Sequence, residues 1–468
     1  MKAELYGSLI EYGKSGVYPF HMPGHKRQSA RFSMADPYSF DLTEIDGFDN
    51  LHEAGGLIEG VQEKARRLYE AEESHLLVNG STGGILAAVS AAFRPKDRVL
   101  VARNCHKSVY HALELNDLRP VYIWPDRDDR DGFFLDIKPE RVARALERWP
   151  DIKGMILTSP TYEGVVSDIG KIGKQIHDHG GVCIVDEAHG AHLGLHPYFP
   201  ASAVSGGADV VIQSLHKTMP ALTQTGLLHV RGDRIDRVRL RRMLAVYQTS
   251  SPSYVLMASA DQCLSWALDK GGEAFALYAE RLDGLRKTLR GLSHIRLSEI
   301  PGADPSKLVL SAEETDMSGK CFYDRLRLAY GLQMEMVCGN YVLAMTSPAD
   351  TDEGFARLIV ALKAIDGECK AVGAQGGRAP EHEGSFTCPE LTPGEASGKP
   401  ARKRRLSEAV GYLAGDYIYQ YPPGIPLLVP GEKIDRDIRG RMEQIAASGQ
   451  ELHGGYDGSD KTVTVIDG

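Results

Sequence analysis

Long apolar runs are missing from this 468-residue chain. No stretch approaches the roughly 20 apolar residues of a membrane span. The opening MKAELYGSLIEYGKSG has none of the apolar core of a secretory signal. Paired cysteines are missing as well. Cys105, Cys183, Cys263, Cys321, Cys338, Cys369 and Cys388 are odd in number and scattered, with no CxxC spacing. That pattern argues against a disulfide framework or a zinc site and for free thiols in a reducing compartment. The expected location is the cytoplasm. An excess of basic charge is also lacking. Against 63 Asp and Glu stand 54 Lys and Arg, a net charge of −9 with pI about 6.0. Neither a nucleic-acid nor an anionic-membrane partner is expected. No internal repeat is found.

What is present is the composition of a globular chain, 42% hydrophobic and 25% charged. The length suits two or three domains. From residue 59, apolar segments alternate with helical ones. RVLVA (98–102), PVYIW (120–124), GMILT (154–158), GVCIVDE (181–187), DVVIQ (209–213) and GLLHV (226–230) read as strands. Residues 59–72, 85–93, 138–149 and 169–180 read as helices. Such alternation, with strands apolar on both faces, predicts an α/β fold with a mainly parallel sheet covered on both sides. The predicted division is an N-terminal interface segment 1–58, a large domain 59–292, and a smaller C-terminal α+β region 293–468. Within the last, Gly/Pro/Glu-rich residues 373–400 read as a flexible linker. A helix is expected over 402–415 (RKRRLSEAVGYLAG), followed by YPPGIPLLVPGE (421–432).

Ligands in parallel α/β sheets bind at the carboxyl ends of strands, and four unusual segments fall there. Asn79-Gly80-Ser81-Thr82-Gly83-Gly84 runs into an apolar helix, and its free N–H groups and hydroxyls suit a phosphate, although a plain capped helix start fits equally well. Asn104-Cys105-His106-Lys107-Ser108 offers an imidazole that could stack on a ring. Asp186-Glu187-Ala188-His189-Gly190-Ala191-His192 offers a carboxylate for a cationic ring nitrogen, and more weakly a metal site. Ser214-Leu215-His216-Lys217 places a lysine just past a buried strand. There partial desolvation would make its amine nucleophilic, while an ordinary loop lysine remains open. Taken together, a cradle, an acid and a lysine on successive βα units are what pyridoxal phosphate requires.

The chain resembles the fold-type I Orn/Lys/Arg decarboxylases that use pyridoxal phosphate, over nearly its whole length. The resemblance rests on PFHMPGHK (19–26), NGSTGG, NCHKS, SPTYEG (159–164), DEAHGAH, QSLHK, QTSSPSY (248–254), LQMEMV (332–337) and YPPGIPLLVPGE. It looks like a short form without an N-terminal wing domain. It implies Lys217 as the Schiff-base lysine, Asp186 as the partner of the pyridine nitrogen and His106 as the stacking imidazole. Ser81 and Thr82 would bind the phosphate, with Ser214 and His216 in support. Thr249 would reach the phosphate of a neighbouring subunit, in a homodimer or larger assembly with shared active sites. His189 would tune the ring oxygen or help place substrate. Departures are Arg27-Gln28-Ser29 after GHK, where a glycine is expected, and Ala54, where proline is common.

The implied reaction is decarboxylation of a basic amino acid, arginine to agmatine first, then lysine or ornithine. An aminotransferase or a non-catalytic regulatory homologue are the rivals. Transaminases of this fold grip the substrate carboxylate with a small-domain arginine. LQMEMVCGNYVLAMTS (332–347) has none, the next being Arg357. Acids that could meet a distal substrate cation are Asp46, Asp49, Glu163 and Glu432, each equally readable as a solvated loop carboxylate.

Overall fold

The structure is a computed structural model that describes residues 4–373, 385–420, 424–447 and 451–467. Its centre is an eight-stranded sheet in the order Phe386–Thr387, Arg119–Ile123, Arg98–Ala102, Ile152–Thr158, Val182–Asp186, Val210–Gln213, Gly226–Val230, Glu73–Leu77. The five strands from Arg119–Ile123 to Val210–Gln213 run parallel. The remaining three pair antiparallel at the two edges. All six predicted strands are therefore found. Their residues, Val, Ile and Leu above all, are buried on both faces because helices cover both sides.

Those helices follow local rules. Pro139–Arg148 starts with proline in its first turn and buries Val142, Ala145 and Leu146, one stripe at helical spacing. Ile169–Asp178 is capped by Asp168, whose carboxylate accepts the Lys171 N–H at 3.0 Å, and buries Ile169, Ile172 and Ile176. A 36-residue helix, Tyr254–Leu289, then leads to a four-stranded antiparallel sheet ordered Met336–Cys338, Tyr341–Met345, Lys307–Ser311, Arg296–Ser298. Residues near the N-terminus join this second body. Tyr18–Phe20 pairs in parallel with Leu332–Met334, and the Tyr18 hydroxyl donates to Asp350 at 2.9 Å.

Two expectations need correction. The run 402–415 is not a helix. Ala401–Arg405 is a strand, antiparallel to Thr462–Ile466, and only a 3-10 turn, Leu406–Glu408, follows. Its partner lies some sixty residues ahead, out of reach of any local pattern, and its Lys and Arg residues suit an exposed sheet edge. The linker 373–400 is also more structured than its composition suggests, although residues 374–384 lie outside the described residues. Phe386–Thr387 extends the large sheet, and Pro393–Ser397 is a short helix with a full capping box from Thr392 and Glu395. Residues 421–423 of YPPGIPLLVPGE likewise lie outside the described residues. Residues 401–467 enclose a core of their own, including Leu406, Ile418, Leu428, Ile434 and Val465.

Arg103 ties that C-terminal core to the large sheet. Its guanidinium meets Glu432 at 2.9 and 3.2 Å and donates to the Pro426 carbonyl at 2.6 Å. Arg103 is 2% exposed and lies over the rings of Tyr110, Tyr122 and Trp124. Glu432→Ala would strand this cation among aromatics, and a loss of about 3–5 kcal/mol is expected for breaking a buried pair. The urea or guanidinium midpoint measures it. A midpoint equal to wild type would refute the role given to the pair.

Candidate active site

Lys217 lies four residues past the end of Val210–Gln213, in the short helix Leu215–Thr218 entered through Ser214. Its Nζ is 3.1 Å from Nε2 of His189. Withdrawal from water lowers the amine's pKa, and the carboxylates of Asp186 and Glu335 oppose that shift without cancelling it. Asp186 ends the next parallel strand and is buried. Its Oδ1 accepts the Ala188 N–H at 3.1 Å. Burial raises this carboxyl's pKa, while Lys217 works to keep it ionised. The adjacent Glu187 is committed to structure. It accepts bonds from Ser202 Oγ and Gln213 Nε2 at 2.7 Å and from the Ala203 N–H at 2.5 Å. Side chains alternate along a strand, so one acid reaches Lys217 and its neighbour does not.

The other predicted residues gather around this pair to different degrees. His106 caps the helix Lys107–Leu115, with Nδ1 2.8 Å from Ser108 Oγ. Burial first, then the charge on Lys217, pushes its pKa down to about 3, so the ring is neutral. Ser81 and Thr82 stand in the first turn of Gly80–Ala92, and Ser214 Oγ donates to Ser81 Oγ at 3.0 Å. The cradle and the lysine segment are thus in direct contact. At Gly84 the same helix packs close on the sheet, where a Cβ would fall 2.5 Å from Leu77 Cδ1 and 3.1 Å from Ile212 Cγ2. His216 is fixed by a 2.9 Å contact between its Nδ1 and the Thr225 carbonyl. Thr249 is exposed and accepts the Ser251 N–H. It follows Tyr247, whose carbonyl accepts from Asn79 Nδ2 at 3.3 Å, so its loop borders the cradle.

His189 and His192 diverge. His192 Nε2 meets Asp304 at 3.1 Å, whereas His189 lies between two lysines and against the Tyr162 ring, with centroids 4.3 Å apart. The two imidazoles do not form a shared ligand set. Of the four acids considered for a substrate cation, two hold structure. Asp49 accepts the N–H groups of Gly55, Gly56 and Ile58 at the start of a helix, and Glu432 pairs with Arg103. Glu163 accepts from the Tyr341 hydroxyl at 2.7 Å, and Asp46 is exposed. Arg357 donates to the carbonyls of Gly16, Tyr330 and Gly331.

Three charged residues near the site went unassigned in the sequence. Lys307 opens the buried strand Lys307–Ser311, and its Nζ is 3.4 Å from His189 Nδ1. Lys26 is 2% exposed and donates to the carbonyls of His21 and Met345 at 2.9 and 2.8 Å. Glu335 accepts the Met22 N–H at 3.0 Å and the Tyr162 hydroxyl at 2.5 Å. A lysine heading the apolar run KLVLS, where its charge must be buried, was the available signal. Gly164 makes room for it, with φ +97° and a built Cβ only 2.8 Å from Lys307 Cγ. Gly164→Ala combines that clash with a backbone strained for any L side chain, and is expected to cost about 1–3 kcal/mol. Thermal or denaturant unfolding checks this, and an unchanged midpoint would contradict it.

Comparison with known proteins sets this geometry in a family. The sequence model described as Orn/Lys/Arg decarboxylase, major domain, matches residues 3–304. The uncharacterized protein YaaO of Bacillus subtilis (strain 168) is 33% identical, covering 99% of this chain and 98% of its own. An arginine decarboxylase of Bacillus anthracis is 28% identical over 99% of this chain and 97% of its own. The constitutive lysine decarboxylase of Escherichia coli (strain K12) is 28% identical over 54% of this chain and 39% of its own. A solved structure of the E. coli constitutive lysine decarboxylase superposes with TM-score 0.75 at 20% identity, covering 100% of this chain and 82% of that one. The matched model spans well over half the residues, including the cradle, Asp186 and Lys217: the chain belongs to the Orn/Lys/Arg decarboxylase family.

Proposed function

We propose that this chain decarboxylates a basic L-amino acid, arginine by preference, with Lys217 as the cofactor lysine. The observation that carries the reading is the partly buried Lys217 amine, held against His189 and facing Asp186 at adjacent strand ends. Family membership implies pyridoxal phosphate, and the side chains present fit it. The first turn of Gly80–Ala92, with Ser81, Thr82 and the linked Ser214, suits a phosphate. His216 lies in the same short helix as Lys217, two residues past Ser214. Asp186 suits a protonated ring nitrogen, and the neutral His106 can lie on the ring face without adding charge.

Bound there, the cofactor supplies an aldehyde for an amine and a ring that accepts the electrons of a broken Cα bond. The protein's part is positional and acid–base. Asp186, poorly solvated, favours a positive charge opposite it. Lys217 can carry a proton at Nζ and deliver it to a nearby carbon, with His189 behind it. Arg357 is spent on backbone carbonyls, which supports a site that does not clamp the substrate carboxylate as a transaminase does. Arginine is favoured by the end-to-end match to a relative named arginine decarboxylase, against a partial match to one named lysine decarboxylase. Thr249, exposed at the cradle's border, suits a contact made to a second copy of the chain.

The test is release of CO2 and amine measured separately with arginine, lysine and ornithine. Arginine is expected to react fastest. Lys217→Ala is expected to lose the cofactor's absorbance near the visible edge and about 10³-fold or more in rate. Formation of a keto acid instead of an amine, or a wild-type protein that shows no such absorbance with added cofactor, would overturn the proposal.

A further inference from the structure

Lys307 is a buried ammonium whose donors are largely unspent. It is 2% exposed, and among the described residues its Nζ meets only His189, whose Nδ1 stands 3.4 Å away. An ammonium carries three N–H donors. Left unpaired in a buried place they are costly, so they mark a position suited to an acceptor. The two carboxylates that face Lys307 do not fill them. Asp304 is bonded to Nε2 of His192 and to the backbone N–H and hydroxyl of Ser306. Glu335 takes the Met22 N–H and the Tyr162 hydroxyl. Both act on Lys307 through their charge, against the charges of Lys217 and Lys26. With burial the largest influence, the pKa of Lys307 falls to about 8, and the amine stays charged at neutral pH.

An amino acid brings one acceptor of the right charge, its α-carboxylate. The other cations around the site are engaged. Lys26 donates to the carbonyls of His21 and Met345, and Arg357 to those of Gly16, Tyr330 and Gly331. His106, His189 and His216 are kept neutral, each first by burial. Lys217 is partly exposed and stands across the same imidazole from Lys307, 3.1 Å from Nε2. The amine of an incoming substrate has to take the place of the Lys217 amine. Its carboxylate, two bonds away, is thereby delivered to the neighbourhood of His189 and Lys307. Gly164 leaves the gap that the lysine stem occupies.

We infer that Lys307 binds the α-carboxylate of the substrate. The inference deepens the reading of Lys217 as the cofactor lysine and rests on it. A guanidinium grips a carboxylate through two parallel N–H bonds, while an ammonium is a point charge without that fork. Lys307 therefore steers the carboxylate and does not clamp it. The interaction belongs to the bound substrate and is lost as CO2 leaves. It lowers KM and adds nothing to the rate of the bond-breaking step.

The loaded enzyme is assayed with arginine, and with agmatine as an inhibitor that lacks only the carboxylate. In Lys307→Met the KM for arginine is expected to rise about tenfold or more, the worth of a hydrogen bond to a charged group. kcat is expected to stay within about threefold, and the inhibition constant of agmatine within about twofold. Calorimetry on the same protein uses δ-guanidinovalerate and butylguanidine, a pair that differs by the carboxylate alone and does not react. Wild type is expected to bind the acid more tightly, and Lys307→Met to lose that preference. In wild type the preference is expected to fade as pH rises through about 8, where Lys307 loses its proton. That measurement needs no variant, so it stands whatever the substitution does to folding. Equal affinity for the pair in wild type, an unmoved KM in Lys307→Met, or agmatine weakened as much as arginine would overturn the proposal. A wild-type chain that releases no CO2 defeats the reading of the function instead, and leaves the calorimetry to judge Lys307.

Discussion

A lysine amine drawn out of water cannot keep its charge at ordinary cost, and the site is organised around that constraint. Lys217 has carboxylates on one side, Asp186 and Glu335, and imidazole on the other, His189. The balance leaves the amine easier to discharge than a surface lysine. Neighbouring groups bear the consequence. His106, His189 and His216 all have depressed pKa values, each first through burial and then in part through the lysine's charge.

The parallel strands make this crowding possible. Adjacent strands in register bring Thr158 opposite Asp186 and Asp186 opposite Ile212, so residues far apart in sequence end on one sheet edge. The second body closes the site from above. Lys307 and Glu335 come from its sheet region and Lys26 from the N-terminal segment that joins it. That arrangement brings Lys307 against His189 and sets Glu335 and Lys26 close enough to act on Lys307. At the far side, the Arg103–Glu432 pair fastens the C-terminal core next to the strand end that carries His106.

Much of this was legible from local pattern. The strands over 98–102 and 226–230 are found with the expected limits, because runs such as RVLVA and GLLHV have no polar face to expose. Asp186, His106 and Lys217 stood out because polar residues directly follow such runs. Elements stabilised by distant partners were not legible. Tyr18–Phe20 is three residues long and exists as a strand through Leu332–Met334, more than three hundred residues away. Ala401–Arg405 has helix-forming residues and became a strand through Thr462–Ile466. The Thr392–Glu395 capping box is a local signal present in the sequence, masked there by the surrounding Gly and Pro.

By itself, the sequence determined the alternating α/β chain, the strand-end positions of the polar residues and the family resemblance, since each follows from neighbours a few residues apart. It also contained Lys307, but only as the first residue of a buried strand. Which acids are free was decided by the tertiary structure: Asp49 and Glu432 are consumed by a helix start and an arginine. The same holds for what Lys217 touches at its strand end. That Lys217 and Lys307 share one imidazole depends on two sheets meeting across His189, a distance of a few ångströms between residues 90 positions apart. Hydrogen-bond valence, which a sequence does not display, then limits how many protons the three side chains can hold.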